Sequence, residues 1–143
     1  MARIKLVLPE HFSFNTSIPV RITDLNYGNH VGNDTILSLV HEARMQYLKS
    51  IGYSELEFST VSLIMSDAGI EFRSEAFYGD VLTAYVTAGE FSRVGFDLFY
   101  KLTKKDGEKE VVVALAKTGM ICFDYNTRKV VPLPADAIEQ LKR

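Results

Sequence analysis

The chain of 143 residues carries 16 Lys and Arg against 18 Asp and Glu, a formal net charge of −2, with 47% hydrophobic and 24% charged residues. That size suits one domain over residues 1–143, and the balance of charge excludes the basic footprint that nucleic-acid binding needs. The one cysteine, Cys122, excludes an internal disulfide and suits a reducing cytoplasm, while no apolar run approaches the ~18–20 residues that span a bilayer.

Met1 to Pro9 has too short an apolar core for a secretory signal. Phe12 to Thr23 alternates apolar and polar residues and predicts a strand, with Pro19 confining it to an edge. A polar stretch follows, Asp24-Leu25-Asn26-Tyr27-Gly28-Asn29-His30-Val31-Gly32-Asn33. From Asn33 the period changes to that of a helix, with Ile36, Leu37, Leu39, Val40, Ala43, Tyr47, Leu48 and Ile51 on a wide buried face. Asn33 or Asp34 is the expected cap, and Gly52 the expected stop.

The remainder reads as β-rich. Val61 to Phe72 predicts a strand, and Glu75 to Asp80 a turn into a strand from Val81 to Ala88. Phe91 to Thr103 alternates, and Lys105-Asp106-Gly107-Glu108 marks a hairpin into Val111 to Phe123. Asn126-Thr127-Arg128 turns into a short strand at Val130-Val131, and Asp136 to Lys142 predicts a terminal helix. One strand, one long helix and four or five antiparallel strands make an α+β domain, a curved sheet covered on one face by a central helix.

The polar stretch holds the chemistry. Backbone amides at a helix N-terminus are unpaired donors with partial positive charge, suited to a carbonyl oxygen or an anion. This string, with Glu42-Ala43-Arg44 on the helix, resembles the signature of the hotdog-fold acyl-thioester hydrolases of the 4-hydroxybenzoyl-CoA thioesterase type. That signature runs roughly D-x-D-x-x-G-H-V-N-N and then E-x-A-R. Phe77-Tyr78-Gly79-Asp80-Val81-Leu82 is similar to the family's lead-in to its third strand, and Ala116 to Asp124 to its closing strand. Where the family carries its catalytic second Asp, this chain has Asn26.

The resemblance implies a hotdog fold of five to six strands around one helix. It also implies hydrolysis of an acyl-CoA or acyl-carrier-protein thioester without cofactor or metal, and a homodimer or dimer of dimers. Asn26 would then position the thioester or its water. Asp24 or Glu42 would supply the base, although Asp24 equally suits a turn cap and Glu42 a supporting hydrogen bond near Arg44. Asp34 suits a first-turn carboxylate. His30 would hold the substrate carbonyl or tie the loop, Gly32 and Asn33 would shape the helix start against substrate, and Asp67 would lie near a partner's site. Arg93, with Lys101, Lys104 and Lys105, would meet coenzyme A phosphates or remain solvated. A hotdog hydratase or dehydratase pairing Asp24 with His30, and a non-catalytic acyl-thioester binder, are the alternatives. Gly-rich phosphate loops, a G-x-S-x-G elbow and zinc-spaced His/Cys clusters are absent.

Overall fold

The computed structural model of the chain describes residues 1–143. Its elements are β1 (Phe14–Pro19), a 3-10 turn (Ile22–Asp24), α1 (Asn33–Ser50), β2 (Ser62–Phe72), β3 (Val81–Gly89), β4 (Gly95–Asp106), β5 (Lys109–Asp124), β6 (Lys129–Val130) and α2 (Ala135–Leu141). The strands form one antiparallel sheet in the order β1-β3-β4-β5-β2, with β6 on β5. Because β1 and β2 lie at opposite edges, the connection that contains α1 crosses the whole sheet. This is the expected α+β hotdog arrangement. No helix is long and apolar enough to cross a membrane.

The helix lies where its periodicity directs it. Ile36, Leu39, Val40, Ala43, Tyr47 and Leu48 are buried in one cluster with Leu82, Ala84 and Val86 of β3 and Leu98, Tyr100 and Leu102 of β4. Leu37 was expected on this face but is 37% exposed, since it falls on the flank of the stripe. The cap also differs: Gly32 occupies that position and Asn33 is the first helical residue. A Cβ on Gly32 would sit 2.6 Å from Asp34 Oδ1, so a larger residue there would turn the exposed Asp34 side chain aside. At the far end Gly52, with φ of 87°, closes the helix as expected. Gly52 N–H donates to Lys49 O and Tyr53 N–H to Leu48 O, the paired bonds of a Schellman motif.

Two strands are shorter than their alternation suggested. β1 ends at Pro19, after which the backbone winds into the 3-10 turn. β4 begins at Gly95 because Phe91 to Val94 form a turn, in which Ser92 N–H donates to Gly95 O and Gly95 N–H to Ser92 Oγ. Two bulges interrupt the ladders, at Ser66 on β2 and at Val113 on β5. The second places Val113 and Ala114, consecutive residues, both in the buried core.

One charge is buried beneath the helix. Arg44 is 5% exposed, and its guanidinium donates to Glu55 Oε1 at 3.1 Å and to Tyr100 Oη at 3.3 Å. Tyr100 Oη in turn pairs with Thr118 Oγ1 at 2.8 Å. Cys122 is wholly buried on β5, and that burial pushes its thiol up to about 11, which leaves it a core residue.

The facing of α1 is testable by contrast. Val40→Asp places an unpaired carboxylate at a site that is 0% exposed and should abolish cooperative thermal unfolding, whereas Leu37→Asp should shift stability by no more than about 0.5 kcal/mol. Denaturant melts of both variants check this.

Candidate active site

The stretch between the 3-10 turn and α1 is closed by its own hydrogen bonds. Asn26 N–H donates to His30 O at 2.8 Å and Asn29 N–H to Asn26 O at 3.1 Å, with Asn29 at φ of 64°. Gly28 N–H donates to Asn26 Oδ1 at 2.9 Å, an Asx turn. A backbone N–H requires an acceptor, so that contact orients the amide: Oδ1 is occupied and Nδ2, a donor, remains. Val31 N–H donates to Ala76 O at 2.8 Å and bolts the loop to the segment after β2.

Asp24 anchors this loop from beneath. Only 3% exposed, it accepts Arg21 N–H at 2.8 Å and the Arg21 guanidinium at 3.1 Å, and its carbonyl accepts Gly32 N–H at 3.2 Å. Burial raises the pKa of its carboxyl, but the side-chain and backbone hydrogen bonds from Arg21 and its charge outweigh that, and the net value lies below the ordinary one. No strand runs through Asp24 and Asn26 to give them a shared face.

A cavity of about 230 Å³ opens beside the loop. His30, Asn33 and Ile36 line it from the start of α1, Arg73, Ser74 and Glu75 from the segment after β2, and Val113 from the β5 bulge. Phe72, Val31 and Val113 give it an apolar floor, and no side chain caps the first turn of α1. Ser74 N–H donates to Val113 O at 3.2 Å and Ser74 Oγ to Val112 O at 2.6 Å, so the bulge supplies the acceptors that hold the third wall. His30 Nδ1 lies 3.1 Å from Val31 O, and the Cδ2–Nε2 edge of its ring faces Gly28.

The structure therefore gathers His30 and Asn33 on the cavity, with Asn26 and Gly32 in the adjoining loop and Asp24 behind it. The Asp24–His30 pair of a hydratase does not form, since each bonds elsewhere. Glu42 is exposed in a separate depression with Ser17, Arg21 and Gln46. Asp67 sits on the other side of the sheet edge, where its carboxylate accepts Lys117 Nζ at 2.8 Å and Gly119 N–H at 2.9 Å. The Lys117 hydrogen bond holds Asp67 below the usual carboxylate range. Arg93 is exposed in the turn before β4 rather than on a strand. Lys101 lies over the Tyr85 ring, and Lys104 bonds the Glu75 carbonyl and lies 3.6 Å from Asp80. The sequence reading missed Arg73, Ser74, Glu75 and Val113, whose shared position depends on sheet curl and on a bulge. The one available signal was a polar Arg-Ser-Glu run closing an otherwise apolar strand.

Comparison with known proteins identifies the fold and the family. Residues 20–141 match the family described as the thioesterase-like superfamily. A 1,4-dihydroxy-2-naphthoyl-CoA hydrolase from Microcystis aeruginosa is 34% identical over 102 residues, 69% of this chain and 71% of the relative. Its counterpart from Nostoc punctiforme is 27% identical over 133 residues, 91% of this chain and 87% of that one. The crystal structure of a 1,4-dihydroxy-2-naphthoyl-CoA thioesterase from Synechocystis superposes with a TM-score of 0.78 at 26% identity, over 91% of this chain and 98% of that one. The 4-hydroxybenzoyl-CoA thioesterase of Pseudomonas sp. strain CBS-3 has the same fold, with a TM-score of 0.80 at 18% identity over 91% and 99% of the two chains.

The anchoring role of Asp24 has a pH signature. A carboxylate whose folded pKa is depressed contributes stability that is present above its unfolded value, ~3.9, and lost as pH falls through the lower folded value. Asp24→Asn should cost about 1 kcal/mol at neutral pH, a modest figure because the Arg21 side chain is 69% exposed. The gap between parent and variant should close below pH ~4, which urea melts at pH 7 and pH 3 check.

Proposed function

The chain belongs to the thioesterase-like superfamily, and on that premise we propose that it hydrolyses an acyl-CoA ester with an aromatic acyl group at the cavity beside α1. The observation that carries this reading is the joining of uncapped first-turn amides of α1 to an apolar-floored cavity through one closed loop. Amides so placed stabilise the oxyanion that forms when water attacks the thioester carbon. The cavity is smaller than the ~300–1,000 Å³ of a whole-ligand site, so it suits the acyl end, with the coenzyme A portion along the surface. Relatives that act on a naphthoyl-CoA support the aromatic preference.

In this reading Asn26 is a donor. With its Oδ1 given to Gly28, its Nδ2 directs the thioester oxygen or the water, and an amide neither accepts a proton from water nor attacks the carbonyl. His30 and Asn33 form the wall on which the reacting group rests, and Gly32 permits the close approach at the helix start. Asp24 holds the loop in shape. Arg93 and Asp67 lie away from the cavity and have no part in the chemistry of one protomer. A reducing cytoplasmic setting fits the buried, unpaired Cys122.

The exposed sheet edge supports a homodimer or a dimer of dimers. β2 is an 11-residue edge strand, and it leaves Met65 at 43% and Phe72 at 49% exposure. A long edge with exposed apolar residues recruits another strand, and a second copy of this chain supplies one by symmetry. Since Phe72 also lines the cavity, pairing along β2 would build part of the site from the partner. Sedimentation at micromolar concentration should give twice 16.1 kDa, or four times that mass for a dimer of dimers; a mass of one chain counts against the reading.

Activity is tested by free-thiol release from 1,4-dihydroxy-2-naphthoyl-CoA, benzoyl-CoA and a straight-chain acyl-CoA, with the aromatic esters expected to turn over faster. Asn26→Asp should lower turnover, because it removes the Nδ2 donor and sets a negative charge beside the developing oxyanion. A parent inert on every ester that gains hydrolysis with Asn26→Asp would instead identify a binding protein.

A further inference from the structure

We propose that Glu75 is the carboxylate that activates water at this site, an inference that rests on the hydrolase reading above. Thioester hydrolysis needs a group that takes a proton from water during attack, and the carboxamide at position 26 has no such capacity. Among the residues that line the cavity, Glu75 alone carries a carboxylate.

The other acids are spent or misplaced. Asp24 is bound to Arg21 beneath the loop, Asp67 to Lys117, and Glu42 faces a separate depression. Asp34 lies against Gly32 on the first helical turn and is not part of the cavity wall. His30 donates Nδ1–H to the Val31 carbonyl, which ties its ring to the loop. Glu75, by contrast, is exposed, and only its backbone carbonyl is engaged, by Lys104 Nζ. Its neighbours are fixed on both sides: Ser74 is bonded to β5, and Ala76 O accepts Val31 N–H from the loop. Glu75 thus lines the cavity from a segment held at both of its neighbours, with its carboxylate bonded to no other side chain.

The step balances without a co-reactant. Water oxygen bonds to the thioester carbon while the Glu75 carboxylate takes the water proton. The tetrahedral oxyanion, held by the α1 amides and Asn26 Nδ2, collapses and breaks the carbon–sulfur bond. The departing thiolate takes the proton back from Glu75, which leaves coenzyme A thiol and the free acid, the latter losing its own proton to solvent.

The test compares the full-length parent with Glu75→Gln, Glu75→Asp and the double variant Glu75→Gln with Asn26→Asp, using thiol release from the best ester of the panel. Glu75→Gln should lower kcat by about 10²–10⁴-fold with KM changed far less, and should erase the acid limb of the pH–rate profile. Glu75→Asp should retain more turnover than Glu75→Gln, and the double variant should recover part of the activity that Glu75→Gln loses, through the carboxylate at position 26. Melting temperatures close to the parent's separate this result from misfolding. An active parent whose Glu75→Gln variant keeps turnover within about threefold overturns the role of Glu75 and leaves the hydrolase reading standing. A parent that cleaves no ester overturns both.

Discussion

Arg44 sits under α1 with its side chain almost wholly enclosed, and a charge in that position must find partners or force the helix away from the sheet. It finds them on two separate elements: Glu55, in the segment after the helix, and Tyr100, on the central strand β4. Those bonds are directional, whereas the surrounding leucines and valines would accept several positions of the helix along its axis. The guanidinium therefore fixes where α1 comes to rest. Its N-terminus, about three turns away, is carried to the end of β2, and the cavity lies between the two. Arg44 never touches that cavity, yet the spacing of its walls follows from where its charge is satisfied.

The functional arrangement is divided between segments that have no regular structure of their own. One wall is the turn between Asp24 and Gly32, held by Asp24 beneath and by the Asn26 side chain within. The other is the run Arg73 to Ala76, held by the bulged carbonyl of Val113. A single backbone bond, Val31 N–H to Ala76 O, ties the two together. Such loops on a rigid scaffold bring residues from distant parts of the chain to one cavity.

Much of the fold was legible because its information is local. The period-3.6 stripe from Ile36 to Leu48, the Gly52 stop and the Gly107 hairpin each follow from side-chain spacing or from the φ a turn requires. The errors came where a hydrogen bond overrode the pattern. Alternation from Phe12 to Thr23 ran past Pro19, but the Asp24 carboxylate captures Arg21 N–H and winds the chain into a turn. Phe91 to Val94 alternate too, yet Ser92 closes a turn on Gly95. The loop residues Asn26, His30 and Asn33 were visible as a polar string between apolar elements. Glu75 was not, because its place on the cavity arises from the meeting of a strand end and a helix start that lie far apart in sequence.

The bulge at Val113 has a consequence for how this protein can change. An unpaired residue in an otherwise regular ladder owes its side chain to no cross-strand neighbour, and its carbonyl serves Arg73 and Ser74 whatever side chain it carries. The floor of the cavity is thereby uncoupled from the register of the sheet. Val113 also fills the core at 2% exposure, so a smaller residue there would deepen the cavity and leave a void, while the same carbonyl still holds Arg73 and Ser74. The size of the cavity is thus set by core packing at one position, not by the order in which the strands pair.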